Sequence, residues 1–223
     1  METKNLTAQE LLADEQLWSL YHASFPPEET EETAVICRGI SSGKALMLRA
    51  CDGQNLVGFI NVHLLRNPDS VFIVYLAVDP NYRGKGFGER LVEAAYALGT
   101  IKLAFDEQIP LWAEIDSLSL ATTEEEKRVR SRRQAFFEKM GLVPILQQSY
   151  VQPPVDGNNL VPMTLVVRHG PEHERENERE HELPSFEAHI RNLYRQKYHE
   201  VNGISLEKIK LCWKACKFSS DYF

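Results

Sequence analysis

A strand, a glycine-rich loop and a helix follow one another over residues 74–91, and together they constrain the fold most. Residues 71–78 form a short apolar run that ends before Asp79, which is typical of a buried strand. Apolar residues then recur at helical spacing from Phe87 to Leu98. The glycines between let the backbone approach a ligand closely, and the first N–H groups of a helix have no intrahelical partner. The stretch therefore predicts a site for a phosphate or pyrophosphate.

The spacing of the glycines in this loop excludes two common phosphate-binding motifs. A dinucleotide fingerprint needs two residues between its second and third glycines, and one residue separates Gly86 from Gly88. A P-loop needs Ser or Thr after its Gly-Lys pair, but Lys85 is followed by Gly86. The remaining order runs through Val78, Pro80, Arg83, Gly84, Gly86 and Gly88. It resembles the acyl-CoA binding motif of the GNAT N-acetyltransferase superfamily, Arg/Gln-x-x-Gly-x-Gly/Ala, and the flanking strand and helix match as well.

The resemblance implies a fold class and, with the composition, a domain organisation. The family fold is α+β, with a mixed, mostly antiparallel central sheet flanked by helices, the acyl-CoA N-acyltransferase fold. We expect this domain over residues 1–170. A charged stretch between prolines then predicts a linker over 171–184, and helical spacing returns in a C-terminal helical extension over 185–223. The sequence leaves two roles open for the extension, packing on the domain or self-association as a homodimer.

Periodicity and capping residues predict the individual elements along the chain. Thr7 with Glu10 and Thr123 with Glu126 have the spacing of capping boxes at helix starts. Helices are predicted over 7–25, 30–40, about 86–99, 124–140, 185–200 and 205–217. Strands are predicted over 45–51, 56–65, 71–78, 111–116, 143–151 and 161–168.

Length and charge exclude several classes of protein. The 223 residues suffice for one domain with a substantial core and an appendage. A formal net charge of -7 argues against general nucleic-acid binding. No apolar run reaches the ~18 residues of a membrane-spanning helix, and the start of the chain lacks the pattern of a secretory signal. We therefore expect a cytoplasmic protein with no nucleic-acid or membrane partner.

The cysteines are scattered, which suits a reducing compartment. They are Cys37, Cys51, Cys212 and Cys216. The last two share a helix face at i, i+4, but no second ligand pair stands at a convincing distance. Buried thiols are the simpler interpretation, and no metal site is predicted.

The resemblance also implies which residues hold the co-substrate, acetyl-CoA. Backbone amides at the end of the strand and along the loop would bind the pantetheine arm and the pyrophosphate. Arg83 and Lys85 would add charge-assisted contacts to phosphate oxygens. The predicted cofactor-binding residues are Leu76, Ala77, Val78, Arg83, Gly84, Lys85, Gly86, Phe87 and Gly88.

The family reaction is the direct attack of a primary amine on the thioester, and this requires a neutral amine. A carboxylate that accepts the amine's proton, often through water, is therefore useful. Glu114 is the first candidate, because it lies on the predicted strand 111–116 on the same face as Asp116, and two close carboxylates raise one another's pKa. The alternative is structural: both carboxylates pair with Arg132, Arg133 or another cation.

The proton donor for the leaving thiolate is where the chain departs from the family. Many members carry Tyr four residues before the glycine of a Tyr-x-x-x-Gly-Phe motif, and here that position is Phe137, before Gly141. Tyr150 is the nearest alternative donor by sequence, although it is also explained as a pocket-lining aromatic. Solvent is the other possible source of this proton, because a CoA thiolate leaves without much help.

Two functions are consistent with these residues. The first is an N-acetyltransferase that moves an acetyl or longer acyl group to a small-molecule amine, a peptide N-terminus or a lysine. The second is a catalytically weak or inactive CoA-binding sensor or interaction module, which Phe137 motivates.

Overall fold

The computed structural model describes residues 2–105, 109–145, 149–155, 160–169 and 186–218. Backbone contacts divide the chain into two compact units. Unit 1 comprises Met1–Asp106 and unit 2 comprises Glu107–Phe223. The predicted linker over 171–184 lies outside the described residues, and the predicted domain limits stay predictions.

Unit 1 contains four strands in which each pairs antiparallel with the next. They are β1 (Glu2–Asn5), β2 (Ala45–Asp52), β3 (Asn55–Leu65) and β4 (Ser70–Val78). Strands β2 and β3 form the predicted hairpin, with Asp52 opposite Asn55. The sequence did not predict β1, because its four residues are polar and exposed and carry no alternating pattern.

The helices of unit 1 are α1 (Ala8–Leu12), α2 (Glu15–Ser24), α3 (Thr33–Ser41) and α4 (Phe87–Leu103). The capping box of Thr7 and Glu10 is present. The single helix predicted over 7–25 is wrong, because the Asp14 side chain accepts from the Leu17 N–H and starts a second helix. Helix α3 begins three residues later than predicted.

The core of unit 1 lies where α1, α2 and α3 pack against the sheet, and two tyrosines tie this core to an acidic segment. The Glu31 N–H donates to the Tyr21 hydroxyl at 2.8 Å and to the Tyr75 hydroxyl at 3.1 Å. The Tyr75 hydroxyl donates to the Glu29 carbonyl at 2.9 Å. Because Tyr75 lies on β4, these bonds fix the middle of that strand against residues 29–31.

Unit 2 is built around a long antiparallel pair, β5 (Leu111–Asp116) and β8 (Val161–Arg168). Two short strands, β6 (Val143–Pro144) and β7 (Tyr150–Gln152), also pair with β8. The strand predicted over 143–151 is thus present as two short pieces, and residues 146–148 lie outside the description. Helix α5 (Glu124–Lys139) starts with the predicted capping box.

The C-terminal helices belong to unit 2 and bury most of their aromatic side chains. They are α6 (Phe186–Asn192), a π helix (Leu193–Val201) and α7 (Leu206–Ala215). Tyr194 and Tyr198 of the π helix are both fully buried. The sequence predicted one regular helix over 185–200; the wider π turns that replace its second half are frequent at functional sites.

No helix in the described part of the chain is long and apolar enough to cross a membrane.

Candidate active site

The loop between β4 and α4 has the backbone of an anion site. Gly84 and Gly86 both adopt the left-handed conformation, with φ of 74° and 76°, which side chains disfavour. Gly86 is the N-cap of α4, and no side chain caps that helix start. A Cβ added at Gly84 would meet nothing within 4 Å. The first amides of α4 are therefore left to a ligand or to water.

Three exposed cations surround this loop. The Arg83 guanidinium donates to the Val78 carbonyl at 3.0 Å, and the Lys85 ammonium donates to the Asn81 carbonyl at 3.0 Å. Arg90 donates to the Lys85 carbonyl at 3.3 Å. The sequence did not single out Arg90, although its position one turn into α4 could have indicated it. These donors brace the loop and give it the positive charge that suits a pyrophosphate.

The end of β4 holds the other predicted cofactor residues, Leu76, Ala77 and Val78, and Gly58 of β3 packs tightly against them. A Cβ added at Gly58 would lie 2.4 Å from the Ala77 carbonyl oxygen. This contact is too close for any side chain, so Gly58 sets the path of the end of β4.

Gly58→Ala is therefore expected to destabilise the protein by about 1–3 kcal/mol, because the backbone of β4 must move. The displaced Ala77 and Val78 amides should also weaken acetyl-CoA binding. Urea unfolding measures the first effect. Calorimetric titration with acetyl-CoA, at low temperature and without urea, measures the second. An unchanged unfolding midpoint would show that the two strands accommodate the added methyl group at no cost in stability, contrary to this prediction.

The structure brings together the two predicted catalytic residues, both in unit 2. The Tyr150 hydroxyl of β7 donates to Glu114 Oε1 of β5. The Gln152 amide donates to Glu114 Oε2 at 2.6 Å. The Tyr198 hydroxyl of the π helix lies 2.9 Å from Oε1 and 2.8 Å from Oε2. Donors from three side chains thus converge on one carboxylate, an arrangement that favours its ionised form.

Burial nevertheless raises the pKa of Glu114 above its usual value. The Lys197 charge and the hydrogen bonds from Tyr150, Tyr198 and Gln152 oppose this shift. The sequence had predicted repulsion from Asp116 as the cause, whereas desolvation is the largest one. A carboxylate with a raised pKa accepts a proton more readily near neutral pH.

The neighbouring carboxylate has a different environment. Asp116 forms an ion pair with Arg133 of α5. Pairing with an arginine, the structural role considered for both carboxylates, is thus found for Asp116. Glu114 is instead held by hydroxyl and amide donors. Burial and the Glu114 charge raise the pKa of Tyr150 well above its usual value, so Tyr150 keeps its proton.

Phe137 at the usual tyrosine position is buried in α5, with 6% of its surface exposed. It has no proton to donate. Three residues around Glu114 were missed from the sequence: Gln152, Lys197 and Tyr198. Only Gln152 carried a signal, because it lies two residues from Tyr150 on the same face of β7.

The described residues contain no cluster of three or more His, Cys, Asp or Glu side chains that could hold a metal ion. Cys212 and Cys216 are buried, and the Cys216 sulfur accepts from the Val151 N–H at 3.2 Å.

Comparison with known proteins connects these sites to a family. The model of the acetyltransferase (GNAT) family matches residues 14–141, which is more than half of the chain. The chain belongs to the GNAT family. Membership confirms the predicted family and its general activity, acetyl transfer, and it makes this GNAT protein an acyl-CoA-dependent N-acyltransferase. A comparison with curated proteins finds no match.

Solved structures share the fold of this GNAT protein. A GNAT-family protein from Bacteroides thetaiotaomicron is 21% identical with a TM-score of 0.62, and the match covers 92% of this chain and 100% of that one. An aminoglycoside 6'-N-acetyltransferase solved with coenzyme A is 19% identical with a TM-score of 0.55, over 75% and 96% of the two chains.

The aminoglycoside 6'-N-acetyltransferase of Enterococcus faecium is 18% identical with a TM-score of 0.52, over 76% of this chain and 97% of that one. These likenesses confirm the predicted fold class, a mixed and mostly antiparallel sheet flanked by helices. The Bacteroides match is long enough that it must include part of the C-terminal extension, whereas the two aminoglycoside enzymes align over about three quarters of the chain.

Proposed function

We propose that this GNAT protein moves an acetyl group from acetyl-CoA to a primary amine, with Glu114 as the base. The observation that carries the proposal is the Glu114 carboxylate, which accepts hydrogen bonds from three side chains and whose pKa is raised by burial. Carboxylates with a perturbed pKa and several directed donors cluster at functional sites.

The β4–α4 loop supplies the donor site in this proposal. Left-handed Gly84 and Gly86, the uncapped start of α4 and the charges of Arg83 and Lys85 fit a pyrophosphate. Leu76, Ala77 and Val78 would run along the pantetheine arm, and Phe87 and Gly88 would contribute the first helical amides. Acetyl-CoA brings the activated acetyl group as a thioester.

Glu114 takes a proton from the acceptor amine, directly or through a water molecule, and so makes the nitrogen lone pair available. The new bond joins that nitrogen to the acetyl carbon, and the bond from that carbon to sulfur breaks. The thiolate then needs a proton. Tyr150 is the proposed donor: it passes its hydroxyl proton on and recovers one from protonated Glu114 across their hydrogen bond. After the attack the nitrogen carries one further excess proton, which passes to the regenerated Glu114 carboxylate and then to solvent, so transfer to an ammonium acceptor releases one net proton.

The acceptor is proposed to be a cationic amine. Support comes from the net charge of -7 and from the acidic residues of the segment before α3. The segment is held in place by Tyr21 and Tyr75. A cytoplasmic location, a homodimer and the lack of nucleic-acid and membrane partners stay predictions.

The test is a thiol-release assay with acetyl-CoA and a panel of amines. Spermidine, kanamycin, a peptide with a free N-terminus and Nα-acetyl-lysine cover the acceptor classes, and propionyl-CoA tests a longer acyl group. We expect thiol release that depends on one class of amine, with an acetylated product detected by mass spectrometry. Acetyl-CoA binding without turnover for every amine would favour the second function, a CoA-binding sensor or interaction module.

A further inference from the structure

We propose that Lys197 and Tyr198 of the π helix are positioning residues of the acetyl-transfer centre. Tyr198 supplies a hydroxyl and Lys197 a positive charge that hold Glu114 ionised and fixed in orientation. The inference rests on the proposed role of Glu114 as the base. It assigns a catalytic purpose to the C-terminal extension, which lies beyond residues 14–141 matched by the family model.

Tyr198 has the geometry of a clamp. Its hydroxyl lies within hydrogen-bond distance of both Glu114 oxygens, at 2.9 and 2.8 Å. The same hydroxyl accepts from the Gln152 amide at 3.2 Å, and that amide also donates to Glu114. The hydrogen bonds among Glu114, Gln152 and Tyr198 thus restrict the carboxylate to one orientation. Tyr198 itself is fully buried, so its ring cannot swing away.

Lys197 is a cation kept from solvent, with 1% of its surface exposed. Burying a charge is costly unless opposite charge or another favourable partner offsets the lost hydration. Its ammonium lies 3.9 Å from the centre of the Tyr198 ring, a cation–π contact, and its charge lowers the pKa of Glu114 against the effect of burial. The Lys197 charge therefore opposes the effect of desolvation, which disfavours the ionised form of Glu114.

The π helix is bonded to the strand that carries Tyr150 and Gln152. The Tyr194 hydroxyl donates to the Val151 carbonyl, and the Val151 N–H donates to the Cys216 sulfur. Side chains of the C-terminal helices thus satisfy the backbone of β7 between its two Glu114 donors. An incidental surface contact would not supply backbone partners of this kind.

Among the described residues, the polar groups that interact with Glu114 come from β7 and the π helix. Strand β7 contributes Tyr150 and Gln152, and the π helix contributes Tyr198 and Lys197. On β5 itself, Asp116 shares the same face but is paired with Arg133. Burial raises the pKa of Tyr150 well above its usual value, so Tyr150 is neutral at working pH. Loss of the Lys197 charge should therefore raise the Glu114 pKa rather than be masked by a second titration.

The experiment compares Lys197→Met and Tyr198→Phe with the full-length parent. Carbon-13 NMR of glutamate-labelled protein gives the titration midpoint of Glu114, whose signal is the one missing in Glu114→Gln. Both variants should shift this midpoint, and the acid limb of the kcat profile, to higher pH. At neutral pH kcat should fall by about 10-fold for Lys197→Met and about 10- to 100-fold for Tyr198→Phe.

Matched controls separate this effect from damage to the fold. Lys197→Arg keeps the charge and should restore both readouts, and Lys210→Met removes an exposed lysine of α7 and should change neither. Melting curves confirm that each variant is folded at the assay temperature.

The two proposals fail in different ways. An unchanged Glu114 midpoint in both folded Lys197→Met and Tyr198→Phe would overturn the inference, whatever happens to activity. A shifted midpoint with an unshifted kcat profile would instead remove Glu114 from the role of base, and with it the catalytic purpose of both residues. Parallel shifts in the two readouts would support both proposals.

Discussion

Glu114→Gln is expected to lower kcat by about 10²–10⁴-fold, the usual contribution of a general base. Glutamine keeps the shape of the side chain and one acceptor oxygen, but its amide nitrogen cannot accept a hydrogen bond and the side chain cannot accept the proton of the amine. Acetyl-CoA affinity should stay nearly unchanged, because Glu114 is not among the residues proposed to bind the co-substrate. Saturation kinetics with the best acceptor, together with calorimetric titration of acetyl-CoA, separate the two quantities.

The pH dependence of the parent tests the same assignment. The pKa of Glu114 is raised by burial. As pH falls, Glu114 therefore becomes protonated at a pH where an exposed glutamate would still be ionised. Activity should therefore be lost as pH falls, at a higher pH than an ordinary carboxyl group would give. This limb should be absent from the residual activity of Glu114→Gln. Parent-level turnover of the variant at every pH would remove Glu114 from the mechanism.

Asp116→Asn is the matched control, because Asp116 lies two residues away on the same face of the same strand. It should lose its ion pair with Arg133 but keep the pH profile. A loss of activity in Asp116→Asn instead of Glu114→Gln would reassign the base.

Stability gives an independent check of the Glu114 assignment. A carboxyl group whose pKa is raised by folding stabilises the folded state only at low pH, and this contribution disappears as pH rises through the folded-state pKa. At neutral pH the ionised, desolvated carboxylate is a cost, so urea unfolding should find Glu114→Gln as stable as the parent or more stable. A large loss of stability would indicate a structural role.

Gly86→Glu is expected to weaken acetyl-CoA binding by about 100-fold or more, through strain and charge together. Gly86 has a φ of 76°, which disfavours any side chain, and an added Cβ would approach Glu89 Oε2 to 3.3 Å. The new carboxylate would also stand at the helix start where we propose that the pyrophosphate binds. Calorimetric titration with acetyl-CoA measures the loss directly.

Gly43→Glu is a close control for this substitution. Gly43 has a φ of 72° in the turn between α3 and β2. The substitution therefore introduces the same backbone strain and the same charge as Gly86→Glu, but away from the β4–α4 loop. We expect it to destabilise the fold without changing acetyl-CoA affinity. Equal affinities for Gly86→Glu and the parent would be evidence against the loop as the acetyl-CoA site.

Local signals explain why much of the fold could be predicted from the sequence. Strand β5 was predicted with the limits it has, because its apolar positions alternate between prominent turn residues. The break between α1 and α2 was missed, because Asp14 looks like any other polar position of a helix in the sequence. Only the structure shows that its side chain accepts from the Leu17 N–H and caps α2. Strand β1 had no apolar pattern to read.

Some residues of the candidate site could likewise be predicted from the sequence, and others could not. The loop from Arg83 to Gly88 is a contiguous motif, so its residue types and spacing could be recognised together. Glu114 and Tyr150 could be proposed from strand position and chemistry. Tyr198 and Lys197 could not, because only the folded chain brings them to Glu114, and a helical pattern cannot tell a tyrosine that packs from one that bonds a carboxylate.

The distance along the chain between Glu114 and Tyr198, 84 residues, has a consequence for how the protein is made. A contact that closes so large a loop forms late, after local strands and helices, because its entropy cost is met only when much of the fold exists. During synthesis β5 leaves the ribosome long before the π helix does. The growing chain thus exposes the loop proposed to bind acetyl-CoA early and gains a fully held Glu114 carboxylate only after the π helix has emerged, so chains that stop before the π helix should bind acetyl-CoA but not use it.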